Sequence, residues 1–556
     1  MARWKPCSAA CTSATEPETA GAAAPVRFRG RPLFAVSQSW RSFEEVYLRL
    51  DRRVLGVFRI LFSGVLLYDL LRRFPDAALL WSSDGLLSSA TLHKAPQATP
   101  QVSFLLGLSS ATSVQLAFGG LGVVFGLYGA GLFTRLMQVL ALVGYASLNA
   151  RNLFFEDGGT GTVILLLGWT LLLPLGDRFS IDALRRDAAQ PTVRQRVQAR
   201  ANARLPVVSL AAVAVLLQAA VIYWLNAAHK TGQTWRGGDA VHLVLWQHRV
   251  NTPLAVWFAS HEPRWFSPLS TLLTRRTEFV LPVLLLWPTH PAQTRSAAFG
   301  LAILLHGGIA LCMTLGPFSY AMICLVWLAV PGAAFDALAG VARGSARLRG
   351  WHVARYRARA VRVLRRWLGH PSSSKRAQLP AVWRSRGVIA REVVLAWMLL
   401  VETGSMLSSN RGVPSALRVK SRPWLAGYKP YLRGFQGWSM FAPDAPQEDG
   451  TMVVDALTVD GRHVDPFTGQ APNWQQVRLG VTPHSIALSD YFFSMRDSHN
   501  ARYRRDLARY LKALPATSQA GRLRSAEFWW VSYVPPARGS YTPGPIKKQL
   551  LWRMKL

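Results

Sequence analysis

The chain repeatedly runs apolar for close to the length of a bilayer crossing, and that limits its fold more than any other feature. A membrane helix needs roughly 20 mainly apolar residues, because the hydrocarbon core is about 30 Å thick. Nine stretches approach this length: residues 54–71, 111–130, 133–150, 160–176, 205–228, 277–289, 297–315, 318–333 and 388–407. The sixth and eighth are short. Only Gly316-Pro317 parts the seventh from the eighth, so those two are either separate spans or one broken segment. The runs are continuous rather than alternating, which favours helices over a barrel. The expected fold class is an all-α polytopic membrane helical bundle of about nine transmembrane helices, with a small C-terminal α+β extramembrane domain.

Composition agrees with this. Half of the 556 residues are hydrophobic and only 17% are charged, whereas soluble globular chains carry roughly a quarter. The charge is lopsided, 64 Lys+Arg against 29 Asp+Glu. Such a surplus suits either nucleic-acid binding or a membrane protein with arginine-rich internal loops. Its distribution favours the second. Arg41, Arg49, Arg52 and Arg53 precede the first run, seven arginines fill 177–204, and residues 334–387 hold twelve arginines and Lys375 against Asp336 alone. Nine spans put all three segments in the cytoplasm, with the C-terminal region on the opposite side. No nucleic-acid partner is expected, and the lipid bilayer is.

The expected division is a disordered cytoplasmic tail over 1–40, a transmembrane bundle over 41–333, a basic cytoplasmic linker over 334–387, a ninth span over 388–407 and an extracytoplasmic α+β domain over 408–556. No apolar signal-peptide core follows Met1. Within the linker, residues 352–368 place Val353, Tyr356, Val363, Leu364 and Trp367 among arginines at near-helical spacing. That suits an amphipathic helix on an anionic leaflet, or a loop that only sets topology. Cys7, Cys11, Cys312 and Cys324 form neither a disulfide framework nor a zinc pattern, and no metal is expected.

Between spans five and six, residues 229–275 are rich in Trp, His and Arg, as at a membrane interface. In the C-terminal region, Asp460-Gly461 between two β-prone stretches predicts a hairpin, 502–514 a helix, and 527–534 (EFWWVSYV) a further strand.

Ionisable residues inside apolar runs are costly, and by default they face a cavity or a partner. Arg59 and Asp69 lie in the first run, about 15 Å apart along a helix and too far to pair. Glu278 stands beside Arg275 and Arg276, His306 is mid-run, and Lys230 lies just past the fifth run. Each also has a structural reading. Arg59 can bind a carbonyl, Glu278 can neutralise its arginines, His306 can simply pack, and Lys230 can snorkel to the interface.

Six pieces stand in order along this profile: GVFRILFSGVLLYD (56–69), WSSDGLL (81–87), SLNARNLFFEDGG (147–159), DRFSID (177–182), HKTGQTWRGGDA (229–240) and LGPFSY (315–320). Together they resemble the HTTM family (horizontally transferred transmembrane domain), which includes the vitamin K-dependent γ-glutamyl carboxylases. WSMFAP (438–443), with the hairpin after it, is similar to the tails of bacterial members. The resemblance implies a lysine base that deprotonates reduced vitamin K or another quinol, with O2 and CO2 as co-substrates, epoxide formation and carboxylation of a peptide glutamate. The family's base precedes a Trp by five residues just after a span, and Lys230 and Trp235 match that spacing. His306 is the second catalytic candidate. Arg59, Asn149, Arg151, Trp235, Glu278 and Tyr320 are candidates for binding substrate or cofactor. The chain departs from the family where Asn149-Ala150-Arg151 carries an arginine in place of a histidine that helps position the carbanion for CO2. Arginine holds an anion but is no neutral base near pH 7.

Three readings are open: a quinol-dependent, carboxylase-like enzyme; a non-catalytic membrane protein that binds a lipid, quinone or protein partner; and a transporter. The last is the least favoured, because the two halves show no inverted repeat.

Overall fold

The structure, a computed structural model, describes residues 42–94, 102–190, 192, 194, 195, 197, 198, 205–344, 381–410, 413–420, 429–432, 434–478 and 484–556. Met1–Phe43 and Glu44–Leu556 form separate units, and the helical bundle and the C-terminal sheet both belong to the second. The expected tail, its two cysteines and the amphipathic stretch 352–368 lie outside the described residues.

Each of the nine apolar runs contains a helix: α1 Arg52–Arg73, α2 Ala111–Ala130, α3 Thr134–Arg151, α4 Gly158–Thr170, α5 Leu210–His229, α6 Phe266–Leu286, α7 Pro291–Cys312, α8 Phe318–Trp327 and α9 Ala381–Ser409. Local chemistry sets many of their ends. Asp51 caps α1 by accepting from Arg53 N at 2.7 Å. Ser110 and Ser209 cap α2 and α5, and Asp157 and Thr160 form a capping box on α4. Gly131 ends α2 at φ +71°, where a Cβ would also meet the Arg59 guanidinium.

Four stretches are long and apolar enough to cross a membrane: Arg52–Trp81, Ala111–Ala130, Leu210–His229 and Pro291–Cys312. Others fall short by length. The 13 residues of α4 and the 10 of α8 rise about 20 and 15 Å, less than the hydrocarbon core. The chain between α7 and α8 is a real break. Met313 bridges to Asn251, Thr314 N donates to Val250 O at 2.7 Å, and Gly316 adopts φ +57°. Helix α6 begins at Phe266, inside the expected external segment, and runs on through Arg275, Arg276 and Glu278.

The C-terminal unit is an antiparallel sheet with two helices. Strands β1 Asp449–Thr458, β2 His463–Val464, β3 Leu523–Tyr533 and β4 Lys547–Lys555 lie in the order β2-β1-β3-β4. The hairpin turns at Asp460-Gly461 as expected, with Ala456 opposite Val464 and Gly461 at φ +87°. Strand β4 and helix α10 Ile486–Arg496 were not expected from the sequence, whereas helix α11 Arg504–Lys512 was. Phe528 stacks on Trp552 at 4.6 Å, while Tyr491, Phe492, Leu507 and Leu511 are buried in the same core as the bundle.

The unit grips the bundle at two places. Ser88 N and Oγ donate to Asp506, and Arg509 donates to the carbonyls of Ser83 and Gly85 at 2.8 and 2.9 Å. On the sheet side, Leu245, Trp246 and Ala255 pack with Val453, Val531 and Tyr533.

Candidate functional site

Helix α5 ends at His229, where the Lys230 N–H returns to Ala227 O at 3.3 Å. This turn brings the lysine side chain back against the bundle. Lys230 is 3% exposed and Glu278, from α6, 5%. Lys230 Nζ donates to Glu278 Oε1, and Asn226 Nδ2 donates to the same oxygen at 3.2 Å. The Lys230 ammonium lies 4.4 Å from the centre of the Trp235 ring, a cation–π arrangement. Lys230 stands past the last residue of its span. Burial pushes its amine below the ordinary lysine value, against the opposing pull of Glu278. Two of the sequence candidates, Trp235 and Glu278, therefore touch Lys230.

His306, from α7, lies one layer deeper. Its Nε2 shares a 2.7 Å hydrogen bond with the Tyr223 hydroxyl of α5, and its ring meets Phe318 edge-on at 5.5 Å. Glu278 Oε2 and His306 Nδ1 are buried without a hydrogen-bond partner among the described residues. Such atoms are costly to leave unsatisfied, so they suit a ligand that carries hydroxyl groups.

The segment around WSMFAP closes this site, a role the sequence did not reveal. Asn226 Oδ1 accepts from Met440 N at 2.9 Å, His229 Nδ1 bonds Trp438 O at 2.6 Å, and Trp235 Nε1 donates to Phe441 O at 2.8 Å. Asp444 Oδ1 accepts from Thr234 N and Oγ1 at 2.8 and 3.0 Å. Deeper in, Gln436 donates to Glu402 of α9 at 2.8 Å and accepts from Gln218 of α5 at 3.0 Å. The Trp438 indole donates to Gln436 at 2.7 Å.

Asn149 and Arg151 belong to a second polar group at the end of α3. Asn149 accepts from Arg73 at 3.0 Å, and Arg73 pairs with Asp69 at 2.6 Å. Asp69 also accepts from Tyr145 at 2.8 Å. Arg151 donates to Leu87 O at 2.7 Å, and its Nε and second terminal nitrogen have no partner among the described residues. Phe318, which packs on the His306 ring, has its backbone so close to Gly159 that a Cβ there would collide with it.

Arg59 and Tyr320 join neither group. Arg59 donates to the carbonyls of Gly129, Leu175, Arg178 and Phe179, which matches its structural reading. Tyr320, 39% exposed, packs on Tyr68 at 5.1 Å on the outside of the bundle. Among the described residues, no three His, Cys, Asp or Glu side chains gather as a metal site requires. No family model matches the chain, and no curated protein or solved structure is significantly similar to it.

Proposed function

We propose that this is a multi-pass membrane protein in which Lys230 acts as a base toward a quinol, in the manner of the carboxylases it resembles. The N-terminus and the basic linkers lie in the cytoplasm, all nine apolar helices sit at membrane depth, and the C-terminal unit faces the other side. One observation carries the chemical reading. A buried amine stands at the end of an apolar helix beside a buried carboxylate that can exchange a proton with it.

The bound quinol supplies the redox chemistry: with O2 it gives the quinone epoxide and water, four electrons leaving the quinol, one oxygen atom entering the epoxide and the other entering water. Lys230 accepts a hydroxyl proton only as the neutral amine. Its own proton can pass to Glu278 Oε1, so the pair stays neutral as ion pair or as amine and acid. Trp235 holds the amine in place, and Phe441 O fixes the Trp235 indole. The unpartnered atoms of Glu278 and His306 would accept or donate hydrogen bonds to the quinol hydroxyls. Glutamate carboxylation, which adds CO2 at the γ-carbon after loss of its proton, is the less supported half, because arginine occupies position 151.

The test is epoxide formation by purified protein given reduced vitamin K and O2. Lys230→Ala should reduce it at least a hundredfold, since a positioned base contributes roughly 10²–10⁴-fold. A variant as fast as the parent protein removes Lys230 as the base.

A second reading, a non-catalytic binding protein, has its own support. Arg151 sits where the family's histidine belongs and bonds Leu87 O, in the loop on which the C-terminal helices rest. Specific quinone binding without turnover would favour it.

A further inference from the structure

At the opposite end of the bundle from Lys230 lies a cavity of about 230 Å3. The starts of α1, α5 and α7 and the residues after α8 surround it. Its inner wall is apolar, with Ala212, Leu216, Leu328 and Val330, and its rim is charged, with Glu45, Arg49 and Asp51.

Arg295 reaches this cavity from the second turn of α7 and is 6% exposed. Its Nε donates to Leu285 O at 3.2 Å, and its guanidinium lies 5.8 Å from the Tyr47 ring. One terminal nitrogen is buried with no partner, and no carboxylate among the described residues pairs with it. Neither rim acid reaches it. Glu45 pairs with Arg49 at 3.4 Å, and Asp51 pairs with Arg53 at 2.8 Å. A buried cation without a counter-charge is strongly unfavourable, so Arg295 calls for an anion. A purely anionic ligand would meet a mouth where Glu45 and Asp51 outnumber Arg49. The arrangement fits a zwitterion, with its phosphate inside and its cation outside.

We propose that the cavity binds the headgroup of one phosphatidylethanolamine molecule from the adjacent leaflet. The phosphate sits on Arg295, the ammonium faces Glu45 and Asp51, and a hydrocarbon chain runs along Leu216, Leu328 and Val330. An ammonium offers three N–H donors to those carboxylates, whereas the choline headgroup offers none. Arg295 lies about 6 Å along α7 from its first residue, a depth that suits a headgroup phosphate. The proposal rests on the membrane reading of the chain and is independent of Lys230 chemistry.

The experiment reconstitutes the full chain in nanodiscs of equal phosphatidylethanolamine and phosphatidylcholine, then counts lipids retained on release by native mass spectrometry. One phosphatidylethanolamine should be retained at least tenfold over phosphatidylcholine, and Arg295→Gln should abolish that preference. Glu45 is exposed on the rim, so Glu45→Lys leaves the fold intact. It should turn the preference toward phosphatidylglycerol when that lipid is included. Soluble phosphoethanolamine should not compete at concentrations matching the lipid. Equal retention of the two zwitterionic lipids, or a preference unchanged in both variants, overturns the proposal, and competition by the soluble headgroup overturns a lipid source. Recovery of the chain from the aqueous phase without detergent would instead overturn the membrane reading.

Discussion

At Lys230 two demands oppose each other: burial expels charge, and Glu278 holds it in place. The balance can be moved. Glu278→Gln removes the anion that retains the lysine proton, so the amine loses that proton at lower pH. If Lys230 is the base, the rising limb of the pH–rate profile for quinol oxidation should move down by roughly 1–3 units. A limb that stays in place means that another group sets it. Lys230, Glu278 and His306 were legible because an ionisable residue in or beside an apolar run stands out against its neighbours. Their partners were not. Asn226 and Tyr223 are ordinary polar residues on a helix, and Met440 and Phe441 arrive from more than two hundred residues away. Arg59 shows the limit of the same signal. It stands out as strongly as Glu278, yet four backbone carbonyls absorb its charge.

Among the elements, the short helices after Lys230 are held to the C-terminal unit by a titratable contact. His242 Nδ1 bonds Glu262, and Nε2 bonds Pro536 O at 2.8 Å. Both acceptors are satisfied only when both ring nitrogens carry protons. Burial lowers the His242 pKa, but the bonds to Glu262 and Pro536 outweigh it, with Glu262 and Asp239 adding attraction, and the value ends above normal. A raised folded value contributes stability that is full below the unfolded pKa of about 6.5 and is lost as pH rises through the folded one. Two neighbouring groups also titrate. Burial raises Asp449 to about 7, which acts in the same sense below that pH. Burial lowers His248, which acts in the opposite sense only below about 6.5. Whatever part of the loss above pH ~6.5 disappears when the imidazole is removed belongs to His242. Protease resistance of residues 229–265 should therefore fall across that range, and His242→Gln should flatten the dependence. An unchanged slope in the variant would assign it elsewhere. Hydropathy made the helices legible, but it misplaced the start of α6, because Arg275 and Arg276 read as the boundary before the apolar run. Strand β4 escaped because it opens on Lys547-Lys548 and pairs on one side only, with β3.

For the whole molecule, four long apolar stretches and a sheet docked on the bundle agree with a membrane protein that carries a folded cap. Which side the cap occupies depends on the basic linkers and a count of nine. A reporter fused after Leu556 should report the non-cytoplasmic side, and one inserted near Ser345 the cytoplasm. Both reporters on one side would leave an even number of crossings between them, and the count would have to change. The segment 436–444, which covers Lys230 and ties α5 to α9, bears on biogenesis. A ribosome releases these residues only after every apolar helix has emerged. Until then Asn226 and Trp235 lack the backbone partners that Met440 and Phe441 later supply. The site is thus completed only after the last apolar helix has been made, and a stop codon between α9 and residue 436 would leave Lys230 uncovered.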